Sequence, residues 1–326
     1  MQRPALSIII PVYNEEEIIE ELDRRLKGFL RGLEETWEVV FVDDGSRDRT
    51  PAALKELAAA EPRYKVISFS RNFGHQAAIT AGMDRAEGDA VVIMDADLQD
   101  PPEVVNEMMR KWREGYDVVY GQRSIRHRES IFKRTTAAAF YSLFRMLLPI
   151  EMPLDAGDFR LMSRKVVLSM RALREQHRFV RAMVSWVGFR QTAVQYERPE
   201  RFAGETKYPL RKMIRFAVDG ITSFSIVPLR LATWLGLLSG LLAIVTSGWA
   251  LYSSIAGKTV PAWATITIAV ALAASAQLIM TGILGEYIGR IYEEVKRRPL
   301  YVVADTLNLP PTDSTPGLEE PGTLRK

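Results

Sequence analysis

The sequence predicts an α/β fold with a mostly parallel sheet, followed by a membrane-associated region with two transmembrane helices. Residues 1 to about 125 alternate short apolar runs with amphipathic stretches. Repeated strand–helix–strand units of this kind produce parallel sheets that are covered by helices. Further along, Leu231 to Gly257 and Thr259 to Gly285 contain no charged residue. Each stretch is longer than the roughly 20 apolar residues that cross a bilayer.

In residues 1 to about 125, the spacing of the apolar residues and the positions of proline and glycine predict the strands and helices. The predicted strands are Leu6–Ile10, Trp37–Val42, Lys65–Phe69, Val91–Met94 and Asp117–Tyr120. The predicted helices are Glu15 to about Leu33, a segment that starts at Thr50, His75 to about Glu87, and Glu103–Arg113. We expect Thr50 to be the N-cap of its helix, because Pro51 suits the first helical position.

The amino-acid composition limits which metal sites and cross-links the chain can form. The chain has 326 residues, a net charge of +3, no cysteine and three histidines. The absence of cysteine excludes disulfides and thiolate metal sites, and three histidines make a zinc site improbable. A metal, if one binds, must therefore be held by oxygen ligands. The nearly balanced charge says little about partners, and we expect no nucleic-acid partner.

Asp95 and Asp97 follow the fourth predicted strand directly, with Gln99 and Asp100 just beyond. Ligands bind at the carboxyl ends of strands in open α/β sheets. Carboxylates at this position can hold a divalent cation that is completed by water and phosphate. The competing interpretation is that these acids cap the next helix, since Asp before Pro-Pro-Glu is a common helix start.

Two further strand ends supply context, namely Pro11–Glu15 and Asp43–Ser46. We expect all three strand ends to converge at one edge of the sheet, which favours the metal–phosphate interpretation. Asp44-Gly45-Ser46 is also a strong turn signal, and both roles are compatible.

The flanks of the apolar region indicate its topology. Residues 131–148 and 208–227 each combine an apolar face with basic residues, which is typical of helices lying in a membrane interface. An ordinary amphipathic helix packed on the sheet is the alternative for each segment. Basic residues precede and follow the two uncharged stretches, so the positive-inside rule places both flanks in the cytoplasm. We therefore expect a multi-pass protein of the plasma (inner) membrane with its α/β domain in the cytoplasm.

Three strand-end motifs together carry a family resemblance: Ile8–Glu15, Val42–Ser46 and Met94–Pro101. The chain resembles the inverting, nucleotide-sugar-dependent glycosyltransferases of family 2, which have the GT-A fold. Within that family it is similar to polyprenyl-phosphate glycosyltransferases of the bacterial undecaprenyl-phosphate glucosyltransferase type, relatives of dolichyl-phosphate mannose synthase. A late signature at Gly285–Pro299 is shared with that type. The resemblance covers about residues 5 to 303.

The resemblance implies roles for individual residues. Nucleotide-sugar binding is expected of Pro11, Tyr13, Glu15, Asp43, Ser46, Asp95 and Gln99. Asp97, with Asp95, is expected to ligate the Mg²⁺ or Mn²⁺ that grips the diphosphate. Asp158 is expected near the sugar, as a base or as an orienting group, with Asp155 as second choice and a structural turn as the competing role. Acceptor-phosphate binding is expected of Arg123, Arg201 and Lys207, with Arg123 also counted among the catalytic residues.

The implied activity is transfer of a hexose, glucose first, from a UDP-sugar to undecaprenyl phosphate with inversion. GDP-mannose, UDP-GlcNAc, UDP-galactose or a UDP-aminoarabinose derivative are alternative donors. A processive polysaccharide synthase and a non-catalytic membrane scaffold are rival hypotheses. Relatives suggest a tetramer, so we expect a homo-oligomer.

The resulting domain prediction has four parts. Residues 1–130 form the GT-A catalytic domain, and 131–228 its acceptor side with the interfacial helices. Residues 229–289 form the two-helix transmembrane domain. Residues 290–326 form a cytoplasmic tail that is expected to be disordered from about 309.

Overall fold

The computed structural model describes residues 3–123, 156–197, 227–256 and 262–309. These residues fall into two compact units. The first contains residues 3–123, 156–197 and 299–309, and the second contains residues 227–256 and 262–298.

The first unit is built on one sheet with helices. Its strands are β1 (Leu6–Val12), β2 (Trp37–Asp43), β3 (Tyr64–Phe69), β4 (Ala90–Ile93), β5 (Val118–Arg123), β6 (Ala156–Ser163), β7 (Gln191–Tyr196) and β8 (Val303–Leu307). Its helices are α1 (Ile19–Leu30), α2 (Thr50–Ala60), α3 (His75–Arg85), α4 (Val104–Arg113), α5 (Arg164–Ala172) and α6 (Val180–Trp186).

The strand order is β7-β5-β6-β4-β1-β2-β3-β8. β1 pairs in parallel with β2 and β4, and β2 pairs in parallel with β3. β6 runs antiparallel to both β4 and β5, and β8 runs antiparallel to β3. The carboxyl ends of β1, β2 and β4 therefore lie side by side at one edge, where open α/β sheets bind ligands.

The central strands are apolar because they are covered on both faces. Ile8, Ile9 and Ile10 of β1 are fully buried, as are Val39 and Val40 of β2. Alternate residues of a strand point to opposite faces, so a run without polar interruptions requires helices on both sides. The sheet thus holds the loops after β1, β2 and β4 on a rigid base.

β8 covers the outer edge of β3 and follows the second unit directly in the chain. Tyr301 precedes β8, is 7% exposed, and stacks on Phe69 with ring centroids 5.0 Å apart. Its hydroxyl donates to Asp84 Oδ2 at 2.7 Å. Asn308 closes the strand by donating to the carbonyls of Ala58 and Tyr64 at 2.6 and 2.9 Å. Pairing removes an exposed strand edge, which otherwise invites association.

The second unit consists of α7 (Val227–Ile255) and α8 (Ala262–Val295), which pack against each other. A Cβ on Gly236 of α7 would lie 3.1 Å from Met280 Sδ of α8, so the missing side chain permits this close approach. Among the described residues, one segment is long and apolar enough to cross a membrane: Ala232–Ser253, with a mean hydropathy of 1.7. Two transmembrane helices were predicted, and the second is not confirmed.

The five predicted strands and four predicted helices of residues 3–123 are confirmed, with shifted ends. Two capping predictions are wrong. α2 begins at Thr50 with Arg49 at the N-cap, and the Thr50 hydroxyl accepts the Glu15 N–H at 2.9 Å instead. α4 begins at Val104 with Glu103 at the N-cap, so Asp100 does not cap it. The segments 131–148 and 208–226 and the tail beyond 309 lie outside the described residues.

Candidate active site at the carboxyl edge of the sheet

A cavity of about 380 Å³ opens at the carboxyl ends of β1, β2 and β4. It is lined by Pro11, Val12, Tyr13, Glu15, Asp44, Asn72, Gly74, His75, Ala78, Asp95, Ala96 and Asp97. Apolar walls with a few convergent polar groups are the usual composition of a small-ligand site. Here the polar groups are mostly carboxylates.

The loops after β1 and β2 form one wall and are fastened to each other. The Asn14 N–H donates to Ser46 Oγ at 2.9 Å, and the Arg47 N–H donates to Asn14 Oδ1 at 2.9 Å. The Ser46 N–H in turn donates to Asp43 Oδ1 at 3.0 Å. Asn14 adopts a left-handed backbone (φ 52°), which non-glycine residues rarely do. These contacts hold Tyr13 and Glu15 in fixed positions on the wall.

Asp44 connects this wall to the start of α3. Its carboxylate accepts the Phe73 N–H at 2.7 Å and the Gly74 N–H at 2.9 Å. Burial raises the pKa of Asp44, while these two amide hydrogen bonds oppose the rise. Gly45 is required beside it, because its φ is +69° and a Cβ would lie 2.4 Å from the carbonyl carbon of Arg71. The predicted turn at Asp44–Ser46 therefore also orders the next loop.

The loop after β4 brings Asp95 and Asp97 to the cavity. Leu98 has a left-handed backbone (φ 60°), and the Gln99 N–H donates to Asp97 Oδ1 at 3.1 Å. Residues in such sparsely populated conformations concentrate at functional sites. Asp95 Oδ1 is buried and accepts no hydrogen bond from the described residues. Burial raises the pKa of Asp95, and the nearby charges of Asp158 and Asp97 add to the rise.

Asp100 lies beneath this loop. It accepts the Tyr196 hydroxyl at 2.9 Å and the Asp95 N–H at 3.2 Å. Burial, with the neighbouring Asp95 charge, raises the pKa of Asp100 to about 7. Asp100 therefore supports the loop from the core rather than starting α4.

A charged cluster lies behind Asp95. Arg181 of α6 donates to both oxygens of Asp158, at 2.8 and 2.9 Å. His75 Nε2 lies 3.4 Å from Asp158 Oδ2 and 3.6 Å from Asp95 Oδ1. Burial alone would raise the pKa of Asp158, but the hydrogen bond with His75 and the charge of Arg181 bring it well below its usual range. These contacts favour the ionised form of Asp158.

Arg160 is two residues along β6 and faces the same side of the sheet as Asp158. It is 4% exposed, and its Nη2 donates to the Gly157 carbonyl at 2.8 Å. Its Nε is buried and has no partner among the described residues. Burial lowers the pKa of Arg160 to about 10, while the charge of Asp158 opposes the fall.

The cavity offers two carboxylates as candidate metal ligands, Asp95 and Asp97. Within the described ranges no group of three or more His, Asp or Glu side chains is arranged to hold an ion. Two carboxylates at one rim, one with an oxygen that accepts no hydrogen bond, nevertheless fit a hard cation that takes its other ligands from water and phosphate. The residues therefore suit a cation that binds together with a diphosphate.

The structure brings together only some of the residues predicted for the site. Pro11, Tyr13, Glu15, Asp95 and Asp97 line the cavity. Asp43 and Ser46 hydrogen-bond to each other in the neighbouring turn, and Asp44 lines the cavity instead of them. The side chain of Arg123, and all of Asp155, Arg201 and Lys207, lie outside the described part.

Sequence reasoning missed His75, Arg181 and Arg160. His75 was placed at the start of a helix, and its rarity in the sequence was the one available signal. Gln99, which was predicted to bind the nucleotide sugar, is buried and does not belong to the lining of the cavity.

Comparison with known proteins gives a consistent result. The sequence model of Glycosyl transferase family 2 matches residues 7–170. The chain is 51% identical over 298 residues to an uncharacterized glycosyltransferase of Bacillus subtilis (strain 168), covering 91% of this chain and 92% of that protein. It is 39% identical over 299 residues to a prophage bactoprenol glucosyl transferase homolog of Escherichia coli (strain K12), covering 91% and 98%.

Among solved structures, a mannosyltransferase from Pyrobaculum calidifontis in complex with GDP-Man and Mn²⁺ gives a TM-score of 0.42 at 20% identity, covering 90% of this chain and 88% of that one. That likeness is too weak to support an inference. The family match over about half of the chain and the relatives at 39% and 51% identity are decisive. This chain belongs to glycosyl transferase family 2 and is a glycosyltransferase with a GT-A-like, mostly parallel α/β sheet.

Proposed function

We propose that this glycosyltransferase moves a hexose, glucose first, from a UDP-sugar to polyprenyl (undecaprenyl) phosphate, producing the lipid-linked sugar and UDP. The observation that carries the proposal is the cavity at the carboxyl edge, where Asp95 and Asp97 face the loops after β1 and β2. Relatives named bactoprenol glucosyl transferase support a polyprenyl acceptor and a glucosyl donor.

The donor would lie with its nucleoside against the wall formed by Pro11, Tyr13 and Glu15, supported by Asp43 and Ser46. Its diphosphate would lie towards Asp95 and Asp97, with Gln99 in the supporting loop. Asp97, with Asp95, would hold Mg²⁺ or Mn²⁺. When bound, that cation would neutralise the charge that develops on the departing diphosphate.

The reaction itself needs few groups from the protein. A phosphate monoester has a second pKa near 6, so it is largely a dianion at neutral pH. One of its oxygens attacks the anomeric carbon, and the bond from that carbon to the diphosphate oxygen breaks on the opposite face. UDP leaves with the electron pair, and the anomeric configuration inverts.

Asp158 fits an orienting role better than the role of base. It is buried, and it is held by two hydrogen bonds from Arg181 and a contact with His75. The low pKa of this carboxylate makes it a poor proton acceptor. The nucleophile does not need one, because it is already ionised.

The acceptor phosphate would be held by Arg123, Arg201 and Lys207 at the height of the membrane surface.

We propose that α7 and α8 both cross the plasma membrane, with the catalytic unit in the cytoplasm. α8 supports this by length, at 34 residues, and by its exposed apolar side chains. They include Trp263, Ile266, Val270, Leu278 and Ile279. Homo-oligomerisation remains part of the proposal.

The test is a donor panel. The purified full-length protein in detergent is given undecaprenyl phosphate, Mg²⁺ and, separately, UDP-glucose, UDP-galactose, UDP-GlcNAc, a UDP-aminoarabinose derivative or GDP-mannose. Mass spectrometry of the organic phase should show the lipid phosphate plus one hexose with UDP-glucose. Lipid phosphate carrying the sugar of another donor, with that donor alone, would keep the reaction and change the sugar.

Two other outcomes contradict the proposal. Labelled polymer in the aqueous phase would indicate a processive synthase. Nucleotide binding without transfer from any donor would indicate a non-catalytic scaffold.

A further inference from the structure

We propose that Arg181 is a positioning residue: it fixes Asp158, and through Asp158 it holds the His75 imidazole against the sugar–diphosphate end of the cavity. His75 would then contact the donor directly. This inference rests on the proposed function, since it assumes that a nucleotide sugar occupies the cavity. The three residues are called the His75–Asp158–Arg181 cluster below.

The first step is the ion pair between Arg181 and Asp158. Its two hydrogen bonds, from Nε and Nη2, engage both carboxylate oxygens at 2.8 and 2.9 Å. A bidentate pair of this kind fixes the plane of the carboxylate as well as its position. Asp158 is 5% exposed, so little water competes for it.

The second step is the orientation of His75. Its Nε2 lies within 3.6 Å of two carboxylates, those of Asp158 and Asp95. One ring nitrogen carries at most one proton and can make one good hydrogen bond. The nearer oxygen belongs to Asp158, so the buried Asp95 Oδ1 accepts no hydrogen bond from the described residues. The Asp95 side chain as a whole is 30% exposed and lines the cavity.

The third step is the backbone that carries the cluster. The Val180 N–H donates to Gln76 Oε1 at 2.9 Å, which ties the first turn of α6 to the first turn of α3. Arg181 and His75 are the residues next to this bond on the two helices. The His75 side chain is 43% exposed and lines the cavity, so the ring is held on one side and open to a ligand on the other.

The other end of α3 offers a matched comparison. Arg174 donates to Asp84 Oδ2 at 2.8 Å, and the same oxygen accepts the Tyr301 hydroxyl. This is also an arginine–aspartate pair on a residue of α3, but neither member lines the cavity. Arg174→Met therefore removes a similar ion pair without touching the cluster.

The experiment compares Arg181→Met, Arg181→Lys, His75→Ala and the double variant Arg181→Met/His75→Ala with Arg174→Met, all as full-length protein in detergent. Initial rates with UDP-glucose and undecaprenyl phosphate give kcat and KM. Calorimetric titration with UDP-glucose and with UMP, both with Mg²⁺, gives affinities. Thermal unfolding reports folding of each variant.

We expect Arg181→Met and His75→Ala each to lower kcat by about tenfold, typical for lost positioning, and to weaken UDP-glucose binding. UMP, which lacks the sugar and the second phosphate, should bind within about twofold of wild type. Arg181→Lys should recover part of the loss, because the charge remains and the bidentate geometry does not. The double variant should be within about twofold of the worse single variant, as expected for residues that act as one unit.

Three results would overturn the inference: wild-type kcat and UDP-glucose affinity in Arg181→Met, additive losses in the double variant, or an equal loss of UMP affinity. If Arg181→Met does not fold, the kcat values and the UDP-glucose and UMP affinities of Arg181→Lys and His75→Ala test the inference instead. If wild type moves no sugar to the lipid, the proposed function fails. The UDP-glucose and UMP affinities then still decide whether the cluster serves a donor.

Discussion

Two carboxylates at opposite ends of the same sheet have very different surroundings. Glu38, near the start of β2, is 3% exposed and accepts the Ser7 hydroxyl and the Glu87 N–H, while Lys65 Nζ lies 2.5 Å from its other oxygen. Asp95, at the end of β4, has a buried oxygen that accepts no hydrogen bond from the described residues. A folded chain tolerates such a shortage where a ligand completes the site.

The two carboxylates therefore have different roles. At the amino edge the acid holds three strands and a loop together, so its energy contributes to folding. At the carboxyl edge Asp95 and Asp97 raise the electrostatic cost of the folded state, so their value lies in ligand binding. Stability and activity should therefore respond in opposite ways to substitutions at the two edges.

The largest expected effect is the loss of transfer in Asp97→Asn. The substitution removes a proposed cation ligand, so the rate should fall by about a thousandfold, or about 4 kcal/mol in activation free energy. The melting temperature should stay the same or rise, because a charge close to Asp95 is removed. Rates are measured by mass spectrometry of the lipid product. Asp305→Asn, an exposed aspartate on β8, is the control; equal rates in the two variants would contradict the metal assignment.

The next effect is a loss of stability in Glu38→Ala with activity retained. The variant leaves the Ser7 hydroxyl and the Glu87 N–H without their acceptor, and Lys65 keeps only its longer contact with Glu87 Oε2 at 3.3 Å. Breaking one side of a buried ion pair costs about 3 kcal/mol, which is about 10 °C in melting temperature for a unit of this size.

The matched control at the amino edge is Glu38→Met/Lys65→Met. Because no lone buried charge remains, the double variant should be more stable than Glu38→Ala. A double variant that melts below the single one would show that the pair is not the source of the stability.

Asp100, at the carboxyl edge, should make the folding stability depend on pH. Its folded-state pKa of about 7 lies above the unfolded value, so the protonated form favours the fold. Stability from this group is fully present below about pH 4 and is lost as pH rises through 7. Without divalent cations, Asp100→Asn should match wild type at low pH and exceed it by about 4 kcal/mol at pH 8. Melting curves from pH 5 to 8 that run parallel would refute this.

The smallest effect concerns Tyr301, which joins the edge strand to α3. Tyr301→Phe removes the hydrogen bond to Asp84 and should cost about 1 kcal/mol, or about 3 °C. Burial and the charge of Asp84 raise the pKa of Tyr301, so the contribution is present below about pH 10 and is lost as pH rises above it. Melting temperatures are measured between pH 7 and 11.

Tyr292→Phe serves as the control, because Tyr292 is an exposed tyrosine of α8. A shift as large as that of Tyr301→Phe, or no advantage of wild type at neutral pH, would contradict the role given to Tyr301.

The parts of the fold that sequence could predict are those set by local pattern. β1 to β4 contain apolar runs that end close to Pro11, Asp43, Ser70 and Asp95, and two of these positions are acidic. Asp95 and Asp97 were found because their position after a strand is visible in the sequence itself.

The parts that sequence missed depend on distant partners. β6 pairs with β4 across many residues, and β8 reaches β3 from beyond the second unit. His75, Asp158 and Arg181 come from α3, β6 and α6, so no local spacing brings them together. The same reason explains why the sequence favours Asp43 over Asp44: the N–H groups that donate to Asp44, those of Phe73 and Gly74, are almost thirty residues away in the chain.

The most direct measurement follows labelled sugar from UDP-glucose after incubation of the full-length protein with undecaprenyl phosphate. The account predicts that the label passes into the organic phase, that one UDP is released for each labelled lipid, and that EDTA stops both. Label that remains in the aqueous phase despite tight UDP-glucose binding, or transfer that is unchanged by EDTA, would contradict it.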